Sequence, residues 1–203
     1  AACFFWTGGM LQTMLSMKRE QQQEKTEAYF NIFLIFTALA LITALAVFLL
    51  QSQIASFVGF SGDRIPYLKI LLAYIALSCP SNLVEYIYLV ENKPYRIAIY
   101  GAVVFTLQIL AVTIPVIMTD DLGYGLYGLL LATAVRFVWL AIVVLRYSRI
   151  RFSGKYMGFF LKLSGPFILS VLIVKGIQYA DSFLVSYRFD EGTYAMFRYG
   201  AKE

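Results

Sequence analysis

The sequence contains no histidine. That absence removes imidazole zinc ligands, histidine proton relays and Ser-His-Asp chemistry together. Cysteine is scarce: Cys3 and Cys79 are the only two, both inside apolar runs. Their separation matches no metal or redox pair, so both read as small buried hydrophobes. Charge is scarce as well, at 14% of 203 residues, against about 25% in ordinary soluble domains. There is no low-complexity linker, and no loop is long enough to hold a soluble catalytic domain. No signal peptide is visible. The sequence opens with AACFFWTGG, already apolar and without an initiator Met, and closes with FRYGAKE, where another element begins. The expectation is an internal piece of a longer polytopic chain.

What is present is hydrocarbon. The chain is 60% hydrophobic and 17% aromatic, with a mean hydropathy of +0.71. One soluble core cannot hide so much apolar surface, which places the chain in the membrane class. The net charge of +5 could suggest nucleic acid, but the basic residues sit in short loops between apolar runs, a pattern of membrane orientation.

A spanning helix needs about 20 apolar residues. Five runs qualify: Ala28–Leu50, Ile65–Val90, Ile97–Met118, Leu122–Leu145 and Met157–Ala180. Partial spans occupy Ala1–Met17 and begin near Gly192. The runs are continuous rather than alternating with period two, which argues against strands. The expected fold is all-α, a polytopic transmembrane bundle of five full and two partial spans. Loops 18–27, 91–96 and 146–155 hold nine of the seventeen Lys and Arg residues; the opposite loops hold only Arg64 and Arg188. Every second loop is basic, and the positive-inside rule then puts 18–27, 91–96 and 146–156 in the cytoplasm. Tyr29, Tyr67, Tyr95 and Tyr147, near span ends, suit the interfacial belt. The basic loop 146–156 is the best boundary between two helical bundles.

Polar residues inside spans must face protein or water, because a charge at the bilayer centre costs roughly 2.5–3.5 kcal/mol. In the second full span Tyr74, Ser78, Ser81, Glu85 and Tyr88 share one face, with Asn82 beside them and Pro80 breaking the backbone ladder. Two readings stand: a bendable helix lining a cavity, or a packing seam with Glu85 near the cytoplasmic interface. Arg136, mid-span, could bind an anionic substrate, pair with Glu85 or stack on Trp139. On the last full span Ser164, Lys175, Gln178 and Ser182 share a narrow arc with Asp181 at its edge, as on a helix bordering a water-filled cavity. Lys175 could instead pair with Asp181 or snorkel. Asp181 caps the extracellular end, where plain solvent exposure explains it, and Lys162 reads as interfacial. Arg198 lies early in the next helix. Gly101, Gln108, Ala111 and Pro115 share a face, and with the GYGLYGLLLATA run at 123–134 they mark helix packing rather than a phosphate loop.

Two stretches, ENKPYRIAIYGAVVFTLQIL at 91–110 and GPFILSVLIVKGIQYADSFLVSYRFDEGTYAMFRYGAKE at 165–203, resemble the polysaccharide (O-antigen-type) flippases of bacteria. That family lies in the multidrug/oligosaccharidyl-lipid/polysaccharide superfamily, with the MATE-like multidrug exporters. The resemblance implies a two-lobe, alternating-access transporter in the bacterial cytoplasmic membrane. Residues 1–146 would form an N-terminal lobe incomplete at its start, 147–156 a basic cytoplasmic linker, and 157–203 the beginning of a C-terminal lobe. It implies a polyprenyl-pyrophosphate-linked oligosaccharide as substrate, flipped for lipopolysaccharide-type surface polysaccharide biosynthesis. Arg136, Lys175 and Arg198, with Gln178, would bind it. Glu85 or Asp181 could couple a proton or sodium ion, with Asn82 and Ser81 as further cavity candidates. Membrane lipids are the other partners; no cofactor, metal, nucleic acid or catalytic residue is expected. The rivals are a cation-coupled multidrug exporter, which favours an acid-dominated cavity, and a membrane-embedded polysaccharide polymerase or ligase, which needs longer loops. A purely structural membrane protein is the plainest alternative.

Overall fold

A computed structural model describes residues 5–17, 25–53 and 67–188, and no strand occurs among them. The helices are α1 (Phe5–Met17), α2 (Lys25–Leu49), α3 (Leu68–Ser81), α4 (Leu83–Val90), α5 (Pro94–Thr119), α6 (Leu122–Tyr147) and α7 (Gly154–Arg188). Five stretches are long and apolar enough to cross a membrane: Ala28–Leu49, Leu68–Val90, Pro94–Thr119, Leu122–Tyr147 and Gly154–Ile177. These agree with the five expected runs to within a few residues at each end. The partial N-terminal span is α1; the one expected from Gly192 lies outside the described residues. The reason for uniform helix is solvent: hydrocarbon offers no partner to backbone N–H and C=O groups, so each segment must satisfy its own. Side chains follow the same logic. Leu41, Ile42, Phe105, Ile117, Leu131 and Ile142 are all exposed, a surface suited to lipid and far too apolar for water. The class is thus an all-helical transmembrane protein.

The chain divides into two compact units: Met14–Phe160, and Ala1–Thr13 with Leu161–Glu203. In the larger, α2 lies beside α3, α3 beside α6, and α6 beside α5. α3 and α4 are one span broken at Asn82. Pro80 lacks the N–H that would bond one turn back. The Ser81 hydroxyl, fully buried, donates to the Leu77 carbonyl one turn back at 2.6 Å, beside the Ala76 carbonyl that Pro80 leaves without its helical partner.

α5 and α6 meet along a seam made by missing side chains. A Cβ on Gly128 would fall 1.7 Å from the carbonyl oxygen of Ala111, and one on Gly125 would fall 2.6 Å from a Val116 methyl. Only glycine permits this approach, as in small-residue membrane packing. The seam agrees with the reading of Ala111 and the 123–134 run. Gly101 does not take part, since nothing lies within 4 Å of its would-be Cβ. The turn into α6 has Asp120 in the left-handed region, at φ 51°. Asp121 then caps the helix, its carboxylate accepting from the Gly123 N–H at 2.8 Å.

In the smaller unit Gly9 of α1 lies against the α7 backbone. Its Cβ would fall 2.5 Å from the amide nitrogen of Ile168, just past Pro166.

Candidate functional site

Two helix faces build the polar interior of the larger unit. On α6, Arg136, Trp139 or Leu140, Val143 and Tyr147 recur at helical spacing; on the start of α5, Lys93, Arg96 and Tyr100 do the same. Facing each other, they form a ladder of rings with cations at both ends.

At its inner end stands Arg136, about 16 Å along α6 from the terminal Tyr147. Its Nε donates to the Tyr100 hydroxyl and one Nη to the Asn82 side-chain oxygen, each at 3.4 Å. Both bonds are long, so they orient the guanidinium more than they neutralise it. A guanidinium has five N–H donors, so three remain beyond these two contacts. Asn82 sits at the junction of α3 and α4, with its own backbone in the right-handed helical region. Tyr100 is almost fully buried, and its ring meets Trp139 edge-on at 5.3 Å. The Trp139 indole N–H donates to the Tyr88 hydroxyl at 3.2 Å. Tyr88 in turn meets Tyr147 edge-on at 6.3 Å. At the outer end Lys93 Nζ and Arg96 Nη1 both donate to the Tyr147 hydroxyl, at 2.9 Å and 2.6 Å.

Arg136 and Asn82 are therefore brought together, and the guanidinium bonds to neutral oxygens rather than to Glu85 or Trp139. Glu85 is exposed on α4. Ser78 and Ser81 of the same expected stripe are buried, so the stripe divides between packing and surface. On α7, Ser164 is fully buried whereas Lys175 is exposed. Gln178 and Asp181 belong to α7, but their side chains lie outside the described residues, as does Arg198 altogether.

The basic end carries a second device that the sequence pattern did not mark. Asn31 of α2, fully buried, uses both halves of its amide on the α6–α7 connection. Its Nδ2 donates to the Arg151 carbonyl at 3.0 Å, and its Oδ1 accepts from the Ser153 N–H at 2.9 Å. Ser153 also caps α7, its hydroxyl accepting from the Tyr156 N–H at 3.4 Å. The Tyr29 hydroxyl donates to Glu91 at 2.6 Å, which ties the start of α2 to the α4–α5 turn. Tyr29 is thus packed within protein, while Tyr67 and Tyr95 are open to the surroundings. The residues of the ladder had a signal of sorts: cations and aromatics at i, i+3 and i+7 in Lys93, Arg96 and Tyr100, and at i, i+3 and i+11 in Arg136, Trp139 and Tyr147.

Among the described residues no group of histidine, cysteine or carboxylate side chains could hold a metal. Comparisons with family models, with characterised proteins and with solved structures return no match.

Proposed function

We propose that this chain works as a transporter that flips a polyprenyl-pyrophosphate-linked oligosaccharide across the bacterial cytoplasmic membrane by alternating access, for cell-surface polysaccharide biosynthesis. One observation carries the reading: Arg136 lies mid-span and makes, among the described residues, two long hydrogen bonds, both to neutral oxygens. An intramembrane cation costs roughly 2.5–3.5 kcal/mol to insert, and neither bond offsets a full charge. A guanidinium kept there with donors to spare suits a bidentate, anionic passenger such as a pyrophosphate. The break at Pro80 and Asn82 supports a helix able to bend beside it.

In this reading the lipid tail stays in hydrocarbon while the head group enters a cleft lined by cations. Arg136 binds the pyrophosphate; Lys175, Gln178 and Arg198 are separate candidates for substrate contact, taken from the sequence. Asn82 and Tyr100 hold the guanidinium's plane. Glu85, with Ser81 and Asn82 of the same broken span, or alternatively Asp181, couples a proton or sodium ion. The three basic loops face the cytoplasm, and rocking of two lobes exposes the head group to the other side.

The test is complementation of a bacterial strain that lacks its own exporter of the matching glycolipid, with surface polysaccharide as the readout. Arg136→Gln should lower it at least about tenfold, the loss of one strong charge-assisted contact. Arg136→Lys should restore part, since it keeps charge but not the fork. Undiminished export by Arg136→Gln at normal protein levels sinks the reading. Extrusion of a cationic dye that vanishes with Glu85→Gln would point to the multidrug exporter instead.

A further inference from the structure

We propose that Lys93, Arg96 and Tyr147 form a binding site for the phosphate of an anionic lipid headgroup at the basic end of the larger unit, independently of what the chain transports. Two cations converge on one neutral atom there: the ammonium and the guanidinium both donate to the Tyr147 oxygen, at 2.9 Å and 2.6 Å. The ammonium also lies 4.5 Å from the centre of the same ring. Held on one oxygen, the two charges repel across a gap of a few ångströms. The acid closest in sequence, Glu91, is engaged by the Tyr29 hydroxyl. Such an arrangement is completed by an anion.

The donors that remain define its chemistry. A phenolic oxygen accepts two hydrogen bonds and still donates one. With Lys93 and Arg96 filling the acceptor positions, the Tyr147 O–H is left to point at a ligand oxygen. The ammonium and the guanidinium each keep further N–H groups. Three kinds of donor around one point suit a group with several charged oxygens, such as a phosphate ester. The first turn of α5, beginning at Pro94, adds the positive end of its dipole.

Depth and surroundings select a lipid over a soluble anion. Pro94 opens one span and Tyr147 closes another, which places the cluster at the level of headgroup phosphates. Lys93, Arg96 and Tyr147 are half-buried. Around them Tyr95, Ile150 and Phe152 are widely exposed, as are Arg146, Arg149 and Arg151. Cations next to open apolar side chains match a ligand whose phosphate continues into acyl chain.

The experiment measures retention of phosphatidylglycerol against phosphatidylcholine by the full chain in nanodiscs, by native mass spectrometry. Each cation near such a headgroup contributes about fivefold. The wild type should therefore prefer phosphatidylglycerol by at least that factor. Lys93→Gln/Arg96→Gln should erase most of the preference, and Arg149→Gln/Arg151→Gln, which removes the same charge, should leave most of it. Equal losses in the two double variants would mean diffuse surface attraction and overturn the site. So would a wild type without preference. Displacement by millimolar inorganic phosphate as effective as displacement by phosphatidylglycerol would show a free-phosphate site and likewise overturn the lipid assignment. Should the Lys93→Gln/Arg96→Gln protein not fold, Tyr147→Phe reads the same site. It removes the shared acceptor and the spare donor, and should weaken the preference two- to threefold, about the worth of a neutral hydrogen bond; an unchanged preference in Tyr147→Phe overturns the site.

Discussion

α5 and α6 meet twice, in opposite ways. Around Ala111 and Gly128 they touch through backbone, because one partner has no side chain. Around Tyr100, Trp139 and Tyr147 large polar rings stand between them: Tyr100 meets Trp139 edge-on, and Arg96 and Arg136 donate across to the Tyr147 and Tyr100 hydroxyls. The first contact relies on dispersion between closely fitted atoms, which lipid cannot replace at that distance. The second relies on donors and acceptors that would otherwise be stranded in hydrocarbon. One half of the pair is fixed by shape and tolerates no added volume. The other half is fixed by chemistry and holds a cation at each end.

The sharpest way to break this contrast is to fill the seam. Gly128→Leu must push a branched side chain through the Ala111 carbonyl, and the helices cannot separate without losing the rest of their contact. The expected loss is on the order of 3 kcal/mol, read as a lowered melting temperature in detergent and loss of the monodisperse species on size exclusion. Gly101→Ala is the control: nothing lies within 4 Å of the added methyl, so stability should hold to within about 0.5 kcal/mol. Equal damage by the two would show that the seam does not depend on close approach.

A second prediction takes the contrast to the basic end. Asn31→Leu removes both bonds that fasten the α6–α7 connection to α2 and leaves the Arg151 carbonyl and the Ser153 N–H without their partner. About 2 kcal/mol should be lost, and more of it locally than globally. Trypsin should then cut at Arg149 or Arg151 much faster while the rest of the bundle resists. Unchanged cleavage would mean that the Ser153 cap and the Phe30–Ser148 contact suffice to hold the connection.

These two sites also mark how far the sequence could be read. The spans were legible because hydrocarbon imposes one rule on every residue of a run, and averaging over about 20 residues overwhelms local noise. The glycine seam was legible because Gly125, Gly128 and Ala111 repeat at helical spacing on adjacent helices. Pro80 announced the break in α3–α4 by its missing N–H. Asn31 was hidden: it lies three residues inside an apolar run, and its partners are backbone groups, which have no sequence signature. Tyr100 and Tyr147 were hidden by their composition, since a tyrosine near a span end suits lipid interface and protein interior equally well. Arg136 stood out at once, but helical phase alone could not choose among Glu85, Trp139 and a ligand. Its contacts depend on where the broken helix sets Asn82, a three-dimensional fact. The arc on α7 was drawn as one polar face, yet Ser164 and Lys175 differ completely in exposure, because a long helix changes neighbours along its length.

The smallest effect is expected from Trp139→Phe, and it tests the ladder at its middle rung. Phenylalanine keeps an aromatic edge for Tyr100, so most of the ring contact survives, and only the indole N–H to the Tyr88 oxygen is lost. Tyr88 can still donate through its own O–H, which limits the penalty to about 0.5–1.5 kcal/mol, the net worth of one hydrogen bond. Melting temperature in detergent should fall by a few degrees at most. If the Arg96–Tyr147 and Arg136–Tyr100 bonds rather than ring packing hold this half of the α5–α6 pair, Trp139→Leu should cost little more than Trp139→Phe. If the rings themselves carry it, Trp139→Leu should fall well below Trp139→Phe, by the extra edge-to-face energy of about 0.5–1.5 kcal/mol. The chemistry-over-shape description of this half would then have to be given up for a seam built, like the one at Gly128, on fit.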